Sequence, residues 1–276
     1  MLVNGKPGNS ISIRDRGLLY GDGVFRTLRA EQGRALHWPL HYLKLQHDCA
    51  KLGISCPDEA LLLSELDQVL AQHPDGVVKL IVTRGAGARG YMPTAGVAPT
   101  RIWDFSLLPE YPPEWAAQGI KAHVCGLRLS AQLRLACVKH LNRLENILAA
   151  IELNDAQSHD SQLAEGLLLD ADGLLIEGIR SNLFLVSQGR LVTPDLSRCG
   201  VAGIQRGRVM AWALQHGITL HVRDVGLEEA LHADELFIVN SVIGLWPIRE
   251  LKQRQWSRFP VTAQIRDGLE HQGAPY

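Results

Sequence analysis

The sequence contains no CxxC pair. Its five cysteines (Cys49, Cys56, Cys125, Cys137, Cys199) are odd in number and widely scattered. That pattern fits reduced thiols in a cytoplasmic protein better than a disulfide frame or a zinc site. Eleven histidines occur without an HExxH spacing, so no metal is expected. Neither sign of charge is in excess: 28 Lys and Arg face 29 Asp and Glu, a formal net charge of -1. A nucleic-acid partner would normally call for a basic surplus, so none is expected. No apolar run approaches the roughly 20 residues of a membrane helix, and no membrane partner is expected. The N-terminal MLVNGKPGNS lacks a charged start followed by an apolar stretch, so no secretory leader is expected. There is no internal repeat and no low-complexity tract. What is present is 46% hydrophobic and 21% charged residues over 276 positions. That excludes a mostly disordered chain and gives ample length for one large domain or two smaller ones.

Hydrophobic periodicity and turn residues predict mixed elements. Leu2-Val3 precedes an Asn4-Gly5 turn, a strong hairpin signal. Val24 to Arg29 and Arg34 to His37 read as a second hairpin. Pro39 opens a helix with Leu40, Leu43, Leu45 and Leu52 near a period of 3.6, stopped by Gly53. Pro57 opens another, with Leu61, Leu62, Leu66, Val69 and Leu70 as its stripe. Val77 to Thr83 and Thr100 to Leu107 read as strands. Three prolines in Leu108 to Pro113 predict a stiff extended linker. Beyond it come a strand near Lys121 to Cys125, a helix over His140 to Asn154, and hairpins over Glu165–Glu177 and Asn182–Thr193. A helix over Ile204 to His216 follows, then strands Thr219 to Arg223 and Glu235 to Val239 around a short helix, and a last helix from Pro260. Strand pairs and helices are interspersed rather than strictly alternating, which favours α+β over a doubly wound parallel sheet. The expected division is a smaller N-terminal α/β domain (1–108), a linker (109–118) and a larger C-terminal domain with mixed β structure (119–276).

Five stretches could carry chemistry. Gly85-Ala86-Gly87-Ala88-Arg89-Gly90 spells GxGxxG after a strand, with Asp104 about 20 residues on, as a dinucleotide fold requires. That fingerprint must open a helix, and Tyr91-Met92-Pro93 cannot continue one. The segment is expected to be a loop projecting Arg89 and Tyr91. Lys139, in Val138-Lys139-His140-Leu141-Asn142-Arg143-Leu144-Glu145, sits where an apolar segment meets a helix. It reads either as a solvated helix-start lysine or as an amine whose desolvation makes it a nucleophile. Glu177 lies at a strand end before a small bend and a new strand, as a surface acid or as a carboxylate facing a ring nitrogen. Cys199-Gly200-Val201-Ala202-Gly203-Ile204 feeds a helix, either as an ordinary start or as a phosphate seat. Val239-Asn240-Ser241-Val242 follows a buried strand with a hydroxyl and further N–H groups. An amine, a carboxylate and an anion seat together are what pyridoxal phosphate needs.

The order KxLN, ExxxSNLF, GVxGIxR and an Asn-Ser turn resembles the fold-type IV pyridoxal-phosphate family, from Arg14-Asp15-Arg16-Gly17 and Tyr20-Gly21-Asp22-Gly23-Val24-Phe25 to Asn240-Ser241. That family holds branched-chain and D-amino-acid aminotransferases and 4-amino-4-deoxychorismate lyase. The stretches around Lys139 and Arg89-Gly90-Tyr91 are most similar to the lyase. The resemblance implies a two-domain α+β fold, a homodimer and a pyridoxal 5'-phosphate cofactor. The implied activity is cleavage of 4-amino-4-deoxychorismate to 4-aminobenzoate and pyruvate, a step of folate biosynthesis. The alternatives are an aminotransferase on the same scaffold and a non-catalytic binding protein. By resemblance Lys139 joins the cofactor and Glu177 pairs with its ring nitrogen. Gly203 and Ile204, with Ser241 and Val242, clamp its phosphate. Lys44 stands where the family usually has a phosphate-binding arginine; it supplies a point charge without a bidentate fork. Arg101 and Arg89 are the expected partners of the substrate carboxylates, and Thr27 is expected near the leaving group.

Overall fold

The computed structural model describes residues 1–271. The described chain forms two compact units, one of Met1–Pro109 with Val138–Asn142, the other of Glu110–Cys137 with 143–271.

In the first unit, Asn4 and Gly5 both take positive φ (50° and 77°) and turn β1 (Leu2–Val3) back on β2 (Lys6–Pro7). Asn-Gly suits this turn because both central positions need the left-handed region. α1 (Arg16–Tyr20), not foreseen from periodicity, is a single short turn capped at its start by the Asp15 carboxylate. Then come β3 (Gly23–Glu31), β4 (Arg34–Ala35), α2 (Trp38–Leu52), α3 (Glu59–Leu70), β5 (Gly76–Thr83) and β6 (Thr100–Ser106). The sheet order is β2-β1-β6-β5-β3-β4, antiparallel throughout. One face of β3 (Val24, Arg26, Leu28, Ala30) is buried, and a core of Leu28, Leu45, Leu62, Leu66, Leu80 and Trp103 holds α2 and α3 to the sheet.

α2 lies where predicted but presents another face. Trp38, His41, Leu45, Asp48 and Cys49 are buried, while Leu43 is 64% exposed. Both stripes have helical spacing; the choice went to the one whose polar members find partners on β3 and at Lys139.

The second unit opens with α4 (Glu114–Gln118), so the predicted extended linker turns helical once past Pro113. β7 (Ile120–Leu129), α5 (Leu144–Gln157), β8 (Leu163–Asp170), β9 (Leu175–Gly178), β10 (Asn182–Ser187) and β11 (Arg190–Pro194) follow. Next come α6 (Ile204–Gln215), β12 (Leu220–Arg223), α7 (Leu227–His232), β13 (Glu235–Asn240), β14 (Gly244–Leu251), β15 (Arg254–Gln255) and α8 (Pro260–His271). The sheet runs β12-β11-β10-β13-β14-β7-β8-β9, with β15 beside β14. β11–β12, β14–β7 and β7–β8 are parallel and the other pairings antiparallel, so the sheet is mixed. α6 and α8 cover β10, β13 and β14 through Phe184, Phe237, Trp212 and Ile265.

The helix predicted from His140 begins instead at Leu144. Residues 139–142 spend their backbone groups elsewhere: Lys139 N–H on Asp48, Lys139 C=O on Phe25 N–H, and Leu141 N–H on Gly23 C=O. An antiparallel bridge joins Val24 and His140. These bonds also place Lys139 in the first unit rather than in the C-terminal domain where the sequence reading put it.

Candidate active site

In the first unit the site gathers where β3, α2 and the Val138–Asn142 segment meet. The Lys139 ammonium stands 4.5 Å from the centroid of the Phe25 ring. A cation over an aromatic face is stabilised by the ring quadrupole. Thr27 lies two residues after Phe25 in β3, and strand alternation puts both on one face of the sheet. On the opposite face, Asp48 is 0% exposed. Its carboxylate accepts from the Arg26 guanidinium and the Lys44 ammonium, from the Lys139 N–H at 3.1 Å, and lies 3.2 Å from His47 Nδ1. Burial alone would raise the Asp48 pKa; Arg26 and Lys44 outweigh it and hold the carboxyl below its usual range. Lys44 is therefore beside the Lys139 backbone, but its charge is engaged by an acid.

His41, one turn before Lys44, is 3% exposed, and neither ring nitrogen has a hydrogen-bond partner. Burial, reinforced by Arg26, His37 and Lys139, pushes its pKa down to about 3, so the ring is neutral at pH 7. His37 and His41 are four residues apart, a spacing seen in metal motifs. Among the described residues, however, no three His, Cys, Asp or Glu side chains come together as a metal site.

Arg101 does not stand open to a substrate carboxylate. Its guanidinium forks onto Glu65, with Nη2 at 2.8 Å from Oε1 and Nε at 2.9 Å, and Glu65 also takes the Trp103 indole N–H. Arg89 is exposed on the Gly85–Gly96 loop. No helix follows the GxGxxG segment there. The loop is anchored instead by Arg16, whose guanidinium donates to the carbonyls of Gly90 (2.8 Å) and Tyr91 (2.9 Å). Arg16 and Arg84 share Asp22, and between them outweigh the effect of burial and hold that carboxyl below its usual range.

In the second unit, Glu177 sits on β9 and is 4% exposed. Its Oε2 accepts the Val201 N–H at 2.9 Å and, at the long end of the range, Asn182 Nδ2 at 3.4 Å. Asn182, unassigned in the sequence reading, is the hub of this half: it also donates to Val201 C=O (2.8 Å) and accepts the Gly203 N–H (3.1 Å). The signal for it was the polar residue that opens an otherwise apolar strand, Asn182-Leu183-Phe184-Leu185-Val186. Gly203 is the N-cap of α6, and no side chain caps that helix. A Cβ there would lie 2.4 Å from Asn182 Oδ1, so the close approach of backbone to amide requires glycine. Arg206, in the first turn of α6, is buried against Thr193 Oγ1 and Pro194 C=O. It adds positive charge to the positive end of the helix dipole. Ser241 lies in the β13–β14 turn; the N–H groups of Val242 and Ile243 there bond to Asn240 Oδ1 at 2.8 and 2.9 Å.

Lysine over a ring, buried carboxylate and uncapped helix start suit a phosphorylated, ring-bearing aldehyde: the amine can join the aldehyde, the carboxylate the ring nitrogen, and the helix N–H groups the phosphate. Residues 23–251 match the family described as Amino-transferase class IV. The chain is 44% identical to 4-amino-4-deoxychorismate lyase from Pseudomonas aeruginosa, whose crystal structure superposes with a TM-score of 0.92 over 98% of both chains. It is 32% identical to aminodeoxychorismate lyase of Vibrio harveyi, over 89% of each. It is also 33% identical, over 88% of this chain and 83% of the other, to a Methanocaldococcus jannaschii protein provisionally named a branched-chain-amino-acid aminotransferase. Fold and donor set thus define a pyridoxal-phosphate-dependent enzyme. The chain belongs to the class IV aminotransferase family.

Proposed function

We propose that this enzyme is a 4-amino-4-deoxychorismate lyase, releasing pyruvate to give 4-aminobenzoate for folate biosynthesis. The observation that carries the reading is the 44% identity to the Pseudomonas aeruginosa lyase across nearly the whole of both chains. Lys139 would hold the cofactor through Nζ, and Glu177 would keep its ring nitrogen protonated. The N–H groups at Gly203 and Ile204 would hold the phosphate. From the β13–β14 turn the Ser241 hydroxyl would help; Val242 would serve mainly by shaping the turn, since its N–H bonds to Asn240. Lys44 would add charge from beside Asp48.

When bound, pyridoxal phosphate supplies an electron sink for charge left on the amine-bearing carbon. The residues of the chain manage the protons. Lys139 would take the proton from that carbon on Nζ. The neighbouring carbon–oxygen bond breaks, the six-membered ring becomes aromatic, and the proton held by Lys139 passes to the departing enolpyruvate to give pyruvate. One proton removed is one returned, so no oxidant is needed. Thr27, on the Phe25 face of β3, would hydrogen-bond near the leaving group. With Arg101 committed to Glu65, Arg89 is the arginine proposed for a substrate carboxylate.

The test is a product assay. Purified enzyme given 4-amino-4-deoxychorismate should release 4-aminobenzoate and pyruvate in equal amounts, and Lys139→Ala should release neither. Transamination, the reading favoured by the resemblance to the Methanocaldococcus jannaschii protein, would instead convert the cofactor to its amine form on adding alanine or glutamate. That result without 4-aminobenzoate would overturn the lyase reading.

A homodimer is proposed with it. Leu144, Ile147, Leu148 and Ile151 of α5 form an i, i+3, i+4, i+7 stripe, each more than half exposed. Apolar stripes of this kind mark interaction faces. A cytoplasmic setting is also proposed, on five scattered cysteines none of which forms a disulfide.

A further inference from the structure

Asp48 is a fully buried acid that serves three elements at once. Its carboxylate takes a guanidinium from β3 (Arg26), an ammonium from its own helix (Lys44) and the peptide N–H of Lys139. The carbonyl of that residue is bonded in turn to Phe25 N–H at 3.0 Å. Lys139 is therefore gripped on both sides of its Cα, by α2 through the N–H and by β3 through the C=O. The side chain that leaves this Cα has its root fixed, and only its own torsions remain to place Nζ over the Phe25 ring. Arg26 and Lys44 carry two positive charges against one negative, so Asp48 can hold the Lys139 peptide without leaving a net negative charge beside the amine.

We propose that Asp48 is a positioning residue: its buried carboxylate fixes the Lys139 backbone, and so the line along which Nζ reaches the cofactor and the substrate carbon. This rests on the assignment of Lys139 made above. A base misplaced by an ångström loses rate rather than binding. The signature is therefore a fall in kcat with KM little moved.

Removing Asp48 alone would strand a buried guanidinium, so the variants are made in an Arg26→Met background. There Asp48→Asn keeps an oxygen to accept the Lys139 N–H, and Asp48→Ala does not. Both double variants have the same net charge as the parent at this cluster, because one cation and one anion leave together. Three quantities are read: amide exchange at Lys139 in the cofactor-free protein, visible circular dichroism of the cofactor band in the loaded enzyme, and kcat against KM. The Ala double variant should exchange the Lys139 amide faster than the Asn one. It should also show a weaker dichroic band and a kcat lower by about 10- to 100-fold, at a KM within about threefold. Equal exchange, dichroism and kcat in the two double variants would overturn the proposal while leaving the Lys139 assignment standing. A parent enzyme that gains no absorbance band with pyridoxal phosphate would overturn that assignment, and this proposal with it.

Discussion

Gly200 offers a sharp test of how the carboxylate half of the site is built. Its φ is +85°, and a Cβ there would lie 2.8 Å from Ile176 Cγ2, 3.0 Å from Leu196 Cδ2 and 3.4 Å from Glu177 Cδ. Gly200→Ala meets two separate costs. Holding a residue with a Cβ in the left-handed region costs about 1–2 kcal/mol. Pressing a methyl group into two branched side chains costs a further ~1–3 kcal/mol. Together these come to about 2–5 kcal/mol, or a fall in Tm of roughly 4–20 °C at about 2–4 °C per kcal/mol for a chain of this size. Gly173 supplies the control. Its φ is +81°, but a Cβ would meet nothing within 4 Å. Gly173→Ala should therefore show the backbone cost alone, roughly 2–8 °C. Thermal unfolding followed by circular dichroism measures both. The displaced backbone also carries Val201, whose N–H binds Glu177, so Gly200→Ala should retain pyridoxal phosphate less well while Gly173→Ala should not differ from the parent. Equal Tm losses in the two variants would refute the claim that close packing, and not backbone conformation alone, demands a glycine at 200.

Three further outcomes are expected. Asn182→Ala removes the acceptor of the Gly203 N–H and the donor to Val201 C=O; denaturant unfolding should show a loss of about 1–3 kcal/mol, and dialysis a faster loss of cofactor. His41 has an ordinary value of 6.5 and about 3 in the fold. Its penalty is therefore absent above 6.5 and grows as pH falls from 6.5 towards 3, because the unfolded chain then binds the proton that the fold refuses, at up to ~1.4 kcal/mol per pH unit. His41→Phe should flatten the fall in stability between pH 6.5 and 4.5; a variant with the parent's slope would show that other groups cause it. Ile147→Glu with Ile151→Glu should convert a dimer to monomer in light scattering if the α5 stripe is the interface, and leave the mass unchanged if it is not.

Strands and helix periods were legible in the sequence because apolar spacing and glycine or proline punctuation are local. β5, β6, α7 and the Asn4-Gly5 turn stand close to where those rules put them. Which face of α2 turns inward was not legible. Leu43 advertises an apolar stripe, yet the helix buries His41 and Asp48, because their partners Arg26 and Lys139 are brought in from distant parts of the sequence. The helix expected from His140 fails for the same reason: its first residues have good local prospects, but their peptide groups are claimed by Gly23, Phe25 and Asp48. Arg101 was singled out by resemblance and charge, and the Glu65 that neutralises it lies 36 positions earlier. Lys139 and Glu177 were recognisable through the motifs around them. Asn182, which ties Glu177 to Gly203, was visible only as an oddly polar opening to a buried strand.

The bare start of α6 has a consequence for handling the protein. Serine, threonine, aspartate and asparagine are preferred at a helix start because their oxygen accepts from the first-turn N–H groups; α6 begins at a glycine without a side-chain cap. A tetrahedral oxyanion from solution can supply an acceptor to these helix-start N–H groups. Phosphate or sulfate buffers should raise the melting temperature of cofactor-free protein and slow its reloading with pyridoxal phosphate, whereas chloride at equal ionic strength should do neither.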